Sequence, residues 1–133
     1  MAGDGLDGRS RQPLISPALL AEIYAHAREA FPLECCGYIA GDRVVRCTNE
    51  DASPTSFAIG GRDLLDFARS FDGPAAARVL YHSHTNGRAY ISPTDRAQAG
   101  GYPVQQLVVG ITAEGVQEAA LFDEHFVELA RWC

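Results

Sequence analysis

Between Ser16 and Pro32 the apolar residues Leu19, Leu20, Ile23, Tyr24, Ala27 and Phe31 recur every three or four positions, the spacing of a helix with one buried stripe. Ser16 suits the N-cap and Pro17 the first helical position, while Pro32 stops the run. The period then shortens. Cys36 to Ala40 and Val44 to Thr48 read as two strands joined at Gly41-Asp42 in a hairpin. Asn49 to Thr55 is rich in turn residues, Ser56 to Ile59 predicts a short strand, and Gly60-Gly61 leads into Arg62 to Phe71, where Leu64, Leu65, Phe67, Ala68 and Phe71 again mark a helical face ended by Gly73-Pro74. Ala77 to Tyr81 reads as a buried strand running into His82, and Val104 to Ile111, Val116 to Phe122 and Phe126 to Leu129 predict three more, separated by Glu114-Gly115 and Asp123. This irregular alternation predicts one α/β domain with a mixed, largely antiparallel sheet flanked by helices, not a doubly wound nucleotide fold. No internal repeat, G-x-G-x-x-G or P-loop sequence occurs. Residues 1–13, rich in Gly, Asp and Arg, read as a flexible leader, which assigns the domain to 14–133.

Length and charge narrow the function. At 133 residues the chain is close to the usual size of one domain. Its 17 acidic residues against 11 basic ones, a net charge of -6, lack the footprint of a protein that tracks phosphates, so no nucleic-acid partner is expected. No apolar run approaches the roughly 18 residues of a membrane span, and Met1 to Gly8 carries neither the basic nor the apolar segment of a secretory signal. A cytoplasmic protein without a membrane partner is expected. Cys35, Cys36, Cys47 and Cys133 form no C-x-x-C pair, and adjacent Cys35 and Cys36 suit no ordinary structural disulfide, so both read as small buried hydrophobes. Every one of the 11 basic residues is Arg. A GC-rich genome accounts for this most simply; a protein that meets lysine-modifying machinery and offers it no amine is the functional alternative.

The chemistry concentrates between Tyr81 and Asp95. His82 and His84 stand two apart at the end of a strand, so their imidazoles point to the same side and can converge on one ion. A carboxylate can join them from Asp95, in the first turn of a helix opened by Ser92-Pro93, across a loop of about ten residues. Two imidazoles and a carboxylate suit Zn2+ with the fourth position left to water, whose pKa falls to about 7 on the metal, and an open site of this kind implies hydrolysis. Singly, each piece has an innocent explanation: His82 as a strand-end histidine, Ser92 to Asp95 as an ordinary capping box. Jointly, His-x-His followed at this spacing by Ser-x-x-Asp arises by chance in a chain this long on the order of once in several thousand.

The run His82-Ser-His84, seven residues, then Ser92-Pro-Thr-Asp95, with Glu34 upstream in Phe31-Pro-Leu-Glu-Cys-Cys-Gly37, resembles the JAMM (MPN+) zinc metalloproteases, most of all their small bacterial and archaeal members. The resemblance extends from about Ser16 to the C-terminus and implies a single MPN (JAB) domain. It implies that His82, His84 and Asp95 hold one zinc per chain. It further implies that Glu34 takes a proton from the water on the metal and delivers it to the leaving amine, and that Ser92 steadies the tetrahedral oxyanion. The apolar run after Glu34 agrees, since it predicts a carboxylate at a sheet edge near the metal rather than in free solvent. Cys35 and Cys36 could approach the metal, but strand alternation lets only one share Glu34's side. The resemblance implies an isopeptidase or peptidase that cuts the amide after the C-terminal Gly of a ubiquitin-like or sulfur-carrier protein ending in Gly-Gly, in deubiquitinase-like processing or deconjugation. The short Gly100 to Pro103 link leaves no room for the long insertions that grip ubiquitin in larger relatives. The alternatives are a catalytically silent MPN scaffold, which has no need of both a base and an open metal position, and a cell-wall or phage-tail peptidase, which would normally be secreted or fused to a second domain. The oligomeric state is left open.

Overall fold

A computed structural model of the protein describes residues 15–53, 58–99 and 101–133; the expected leader over 1–13 and part of the expected strand Ser56 to Ile59 lie outside these. Ser16 caps the first helix, α1 (Pro17–Ala30), by accepting a 3.2 Å hydrogen bond from the Leu19 N–H, and Pro17 occupies the first turn. Its buried side is Leu19, Leu20, Ile23 and Ala27, the stripe that the spacing predicts. The hairpin follows as β1 (Cys36–Ala40) and β2 (Arg43–Cys47), paired antiparallel around Gly41, whose φ of 62° suits glycine in a tight turn.

Helix α2 (Gly61–Ser70) precedes β3 (Ala77–His84); a short helix, α3 (Pro93–Ala99), then leads to β4 (Gln105–Thr112), β5 (Gly115–Phe122) and β6 (Glu128–Trp132). The six strands lie in the order β2-β1-β3-β4-β5-β6. Only β3 and β4 run parallel, because α3 and its flanking loops carry the chain back across the sheet; the other neighbours are antiparallel. The mixed, largely antiparallel sheet flanked by helices is therefore observed.

Two expectations are corrected. The last strand starts at Glu128, not Phe126. Asp123 accepts hydrogen bonds from the N–H groups of His125 and Val127, and Phe126 takes a φ of 65°, so these residues form a tight turn. Of the strand expected over Ser56 to Ile59, the described part is a single bridge between Ile59 and Asn49.

Strand alternation divides the core. Ile39, Val79, Tyr81, Leu107, Val109 and Leu121 pack with α1. Cys36, Tyr38, Ala40, Cys47, Leu80 and Phe67 of α2 form a second cluster on the opposite side of β1 and β3. Among the described residues no helix is long and apolar enough to cross a membrane.

Candidate metal centre

β3 is an interior strand, held between β1 and β4, so its C-terminal end is surrounded by protein. His82 and His84 there are 0% and 5% exposed, and Asp95 is 4% exposed. Asp95 arrives through a local device. The Asp95 N–H donates to Ser92 Oγ and the Ser92 N–H donates to Asp95 Oδ2, each at 3.0 Å, a reciprocal capping arrangement that fixes the first turn of α3 and turns the carboxylate back toward the strand.

Asp95 Oδ2 lies 3.1 Å from His82 Nε2 and 2.9 Å from His84 Nε2, and the two nitrogens are 3.2 Å apart. Ligand atoms about 2.0–2.1 Å from a tetrahedral zinc stand about 3.3 Å from one another, so this triangle would have to open by only a few tenths of an ångström to accept the ion. The donor chemistry fits as well. His84 Nδ1 lies 3.2 Å from the Arg88 carbonyl oxygen, which can only accept, so the proton belongs on Nδ1 and the Nε2 lone pair faces the cluster. Burial lowers the His82 pKa below the ordinary imidazole value despite the attraction of Asp95, which keeps the ring in the neutral form a metal requires. Burial also opposes charge on Asp95, but its contacts with His82 and His84 and the Ser92 N–H prevail and hold its carboxyl well below the usual range.

Glu34 is 4% exposed and precedes β1, which lies inside the sheet; the expected position at a sheet edge is corrected, since the edge is β2. Its backbone is fastened on both sides. The Glu34 N–H donates to the Ser53 carbonyl at 2.8 Å, and Asn49 Nδ2 donates to the Glu34 carbonyl at 3.0 Å. Cys35 next to it donates to Ser83 Oγ at 2.8 Å and accepts from the Ser83 N–H at 3.1 Å. Glu34 Oε1 is buried with no hydrogen-bond partner among the described residues. Desolvation pushes the Glu34 carboxyl up to about 7; the charge on His84 opposes this and that on Asp95 adds to it. The four side chains thus share one electrostatic environment.

Cys36 pairs directly with His82 across the β1–β3 ladder, whereas Cys35 packs into the α1 cluster; Cys36 is the one on the metal side. Both are buried and free, and burial pushes the Cys35 thiol up to about 11, which removes thiolate character from it at neutral pH. Sequence reasoning missed Ser83 and Asn49. A lone hydroxyl between the two histidines, aimed by alternation to the opposite face, is the signal for Ser83. Asn49 carries only the general signature of a turn residue, its side-chain oxygen accepting from the N–H groups of Asp51 and Ala58 at 3.0 Å.

Comparisons with known proteins agree with this arrangement. Proteins from Mycobacterium tuberculosis and Mycobacterium bovis named CysO-cysteine peptidase are 36% identical to the chain over 90 residues, and the match covers 62% of this chain and 62% of theirs, less than two thirds of their length. A solution structure of a Desulfitobacterium hafniense protein superposes with a TM-score of 0.65 at 25% identity, covering 86% of this chain and 88% of that one. A solved JAMM protein, described as having a metalloprotease-like zinc site in the proteasome and signalosome, shares the fold at a TM-score of 0.54 and 17% identity, covering 87% of this chain and 91% of that one. The family model for prokaryotic homologs of the JAB domain matches residues 16–122, which include Glu34, both histidines, Ser92 and Asp95, and the chain belongs to that family.

Proposed function

We propose that the protein is a zinc-dependent peptidase that hydrolyses the amide after the C-terminal glycine of a small ubiquitin-like or sulfur-carrier protein. The observation that carries this reading is the Nε2, Nε2, Oδ2 triangle of His82, His84 and Asp95, set beside a buried carboxyl whose Oε1 has no hydrogen-bond partner among the described residues. Zinc held by these three residues would polarise the scissile carbonyl and acidify a water to near neutrality. Glu34 takes the proton released as water attacks and returns it to the leaving nitrogen. Burial pushes its carboxyl above the usual carboxylate range, which makes it a stronger base than an exposed carboxylate and suits it to accept a proton and then donate it. The Ser92 oxygen already accepts the Asp95 N–H, which leaves the hydroxyl proton available to the developing oxyanion. The mycobacterial relatives' name supports a sulfur-carrier substrate, and an extended Gly-Gly tail is the kind of chain that a narrow buried centre admits.

Protein prepared without chelators is expected to hold about one zinc per chain and to cleave a carrier fusion after Gly-Gly. His84→Ala is expected to lose the zinc while circular dichroism reports a retained fold, because the hydrophobic core clusters do not include the ligand. Unchanged metal content in that variant overturns the ligand assignment. Zinc-loaded protein that leaves every Gly-Gly fusion intact overturns the substrate class.

A further inference from the structure

One row of the sheet runs His84, Gly110, Glu118. His84 pairs with Gly110 across β3 and β4, and Gly110 pairs with Glu118 across β4 and β5. Residues opposite one another in neighbouring strands take the same face, so the imidazole and the carboxylate stand on one side of the sheet with a single strand between them. The residue in the middle has no side chain, and the loop after β3 occupies the space. A Cβ at Gly110 would overlap the Gly87 carbonyl and the Arg88 nitrogen, and Gly87 turns through a φ of 80°. The chain from Gly87 to Ala89 therefore lies directly across Gly110.

The peptide that joins Arg88 to Ala89 bridges the two ends of this row. Its carbonyl accepts from His84 Nδ1 at 3.2 Å, and its N–H donates to Glu118 Oε2 at 2.7 Å. A trans amide aims its C=O and N–H in opposite directions, so one rigid plane makes both bonds. The Ala89 N–H is also the main reason that the Glu118 carboxyl titrates below its usual range. Arg131 completes the assembly: it lies 3.1 Å from the same Glu118 oxygen, donates to the Ala89 carbonyl at 3.0 Å and is itself held by Glu128 at 2.8 Å. Ala89 is buried with Val108 and Ala120 beneath this loop. The neighbouring row, His82, Val108 and Ala120, carries no second carboxylate, so the arrangement is particular to His84.

Resting on the reading of His84 as a zinc ligand, we infer that Glu118 is a positioning residue for the metal centre, acting on the His84 ring through the Arg88–Ala89 peptide. Two effects follow from the geometry. The first is orientation: with its N–H fixed by Glu118, the peptide cannot rotate, and its carbonyl holds the Nδ1 proton in one place, which sets both the tautomer and the direction of Nε2. The second is polarisation: a carboxylate that accepts from an amide N–H draws negative charge onto the carbonyl at the other end, hydrogen bonds in series strengthen one another, and a better acceptor at Nδ1 makes Nε2 a stronger donor to the ion. A metal-bound histidine commonly gives its other N–H to a backbone carbonyl or to a carboxylate; here the two stand in series. Arg131 offsets part of the Glu118 charge, so orientation carries the larger share.

The test measures zinc affinity by competition with a chromophoric chelator and follows the His84 Nδ1 proton by NMR in zinc-loaded protein carrying isotope-labelled histidine. Glu118→Ala is expected to weaken zinc binding about tenfold, to move the His84 Nδ1 proton upfield and to speed its exchange with water. Glu118→Gln keeps the shape and one acceptor oxygen but not the charge, so it should fall between the two; it decides the matter if the alanine variant does not fold. Glu128→Gln loosens Arg131 without touching the Arg88–Ala89 peptide, and it should leave affinity and proton unchanged. Unaltered affinity in both Glu118 variants overturns the role of Glu118 and leaves the zinc site standing. Weaker affinity with an unmoved His84 proton also overturns it, since the carboxylate then acts by another route, and so does an equal loss in Glu128→Gln, which would mark a general loosening of β5 and β6. Unmodified protein that binds no zinc overturns the ligand assignment and this inference with it.

Discussion

Val79 and Tyr81 leave β3 toward α1, whereas Leu80, His82 and His84 leave it toward the opposite face. On the α1 side the neighbours are Ile23, Ala27, Ile39, Leu107, Val109 and Leu121, each at most 0% exposed, and the polar groups are provided for. The Tyr81 hydroxyl lies 2.6 Å from His26 Nδ1, and Ser83 Oγ takes the Cys35 N–H. On the other side the sheet buries two imidazoles and the carboxyls of Asp95 and Glu34, and Oε1 of Glu34 and of Gln106 lack hydrogen-bond partners among the described residues. Buried polar atoms left in that state cost stability. One strand thus serves a packed face that supplies folding energy and a face whose groups are held where they are poorly solvated. The first permits the second.

Several substitutions would break or sharpen this contrast. The largest effect belongs to Glu34→Gln, which keeps shape and burial but removes the base: turnover should fall about 10²–10⁴-fold while zinc content is maintained and thermal stability is not lowered. Loss of zinc from this variant, measured by elemental analysis, would make Glu34 a ligand and erase the proposed division of labour. On the packed face, Ile39→Ala should lower unfolding free energy by about 2–5 kcal/mol in chemical denaturation, with zinc stoichiometry unchanged in the folded fraction. An equally large loss of zinc would mean that the two faces are not separable. Ser92→Ala lies at the junction of chemistry and structure. It should slow turnover by about 10²–10³-fold and, through the lost cap on α3, cost about 1 kcal/mol of stability. A variant that loses stability but not rate would reduce Ser92 to its capping role.

The smallest effect concerns the α1 side. Burial, assisted by the Arg46 charge and opposed by that of Glu29, lowers the His26 pKa from 6.5 to about 4. The folded state therefore binds the proton less readily than the unfolded chain, and stability is full above about pH 6.5 and declines as pH falls toward 4. Because His26 is partly exposed, the decline should be at most about 2 kcal/mol. Glu34, raised to about 7, contributes with the opposite sign, losing stability as pH rises from its unfolded value through 7, so the measurement belongs in the Glu34→Gln background. There His26→Gln should flatten the slope between pH 4 and 6.5, and an unchanged slope would remove His26 as its source.

Much of this molecule is legible along the chain because much of it is local. The stripe of α1, the Gly41-Asp42 turn, the capping of α3 by Ser92 and the common direction of His82 and His84 each depend on backbone geometry within a few residues. The Phe126 turn escaped because an aromatic residue at positive φ runs against its strand propensity, and the turn is closed by the Asp123 side chain, bonded to the N–H groups of His125 and Val127, together with backbone bonds between Asp123 and Phe126 and Val127.

What the sequence by itself determined is therefore the helices, most of the strands, the sheet type and the convergence of His82, His84 and Asp95. The tertiary structure alone decided that Glu34 sits buried at the end of an interior strand, fastened through Ser53, Asn49 and, by way of Cys35, Ser83. It alone decided that Arg131 is held by Glu118, Glu128 and the Ala89 carbonyl. The reason is that periodicity reports which face a residue takes, whereas desolvation and hydrogen-bond saturation depend on groups that the fold brings in from distant parts of the chain.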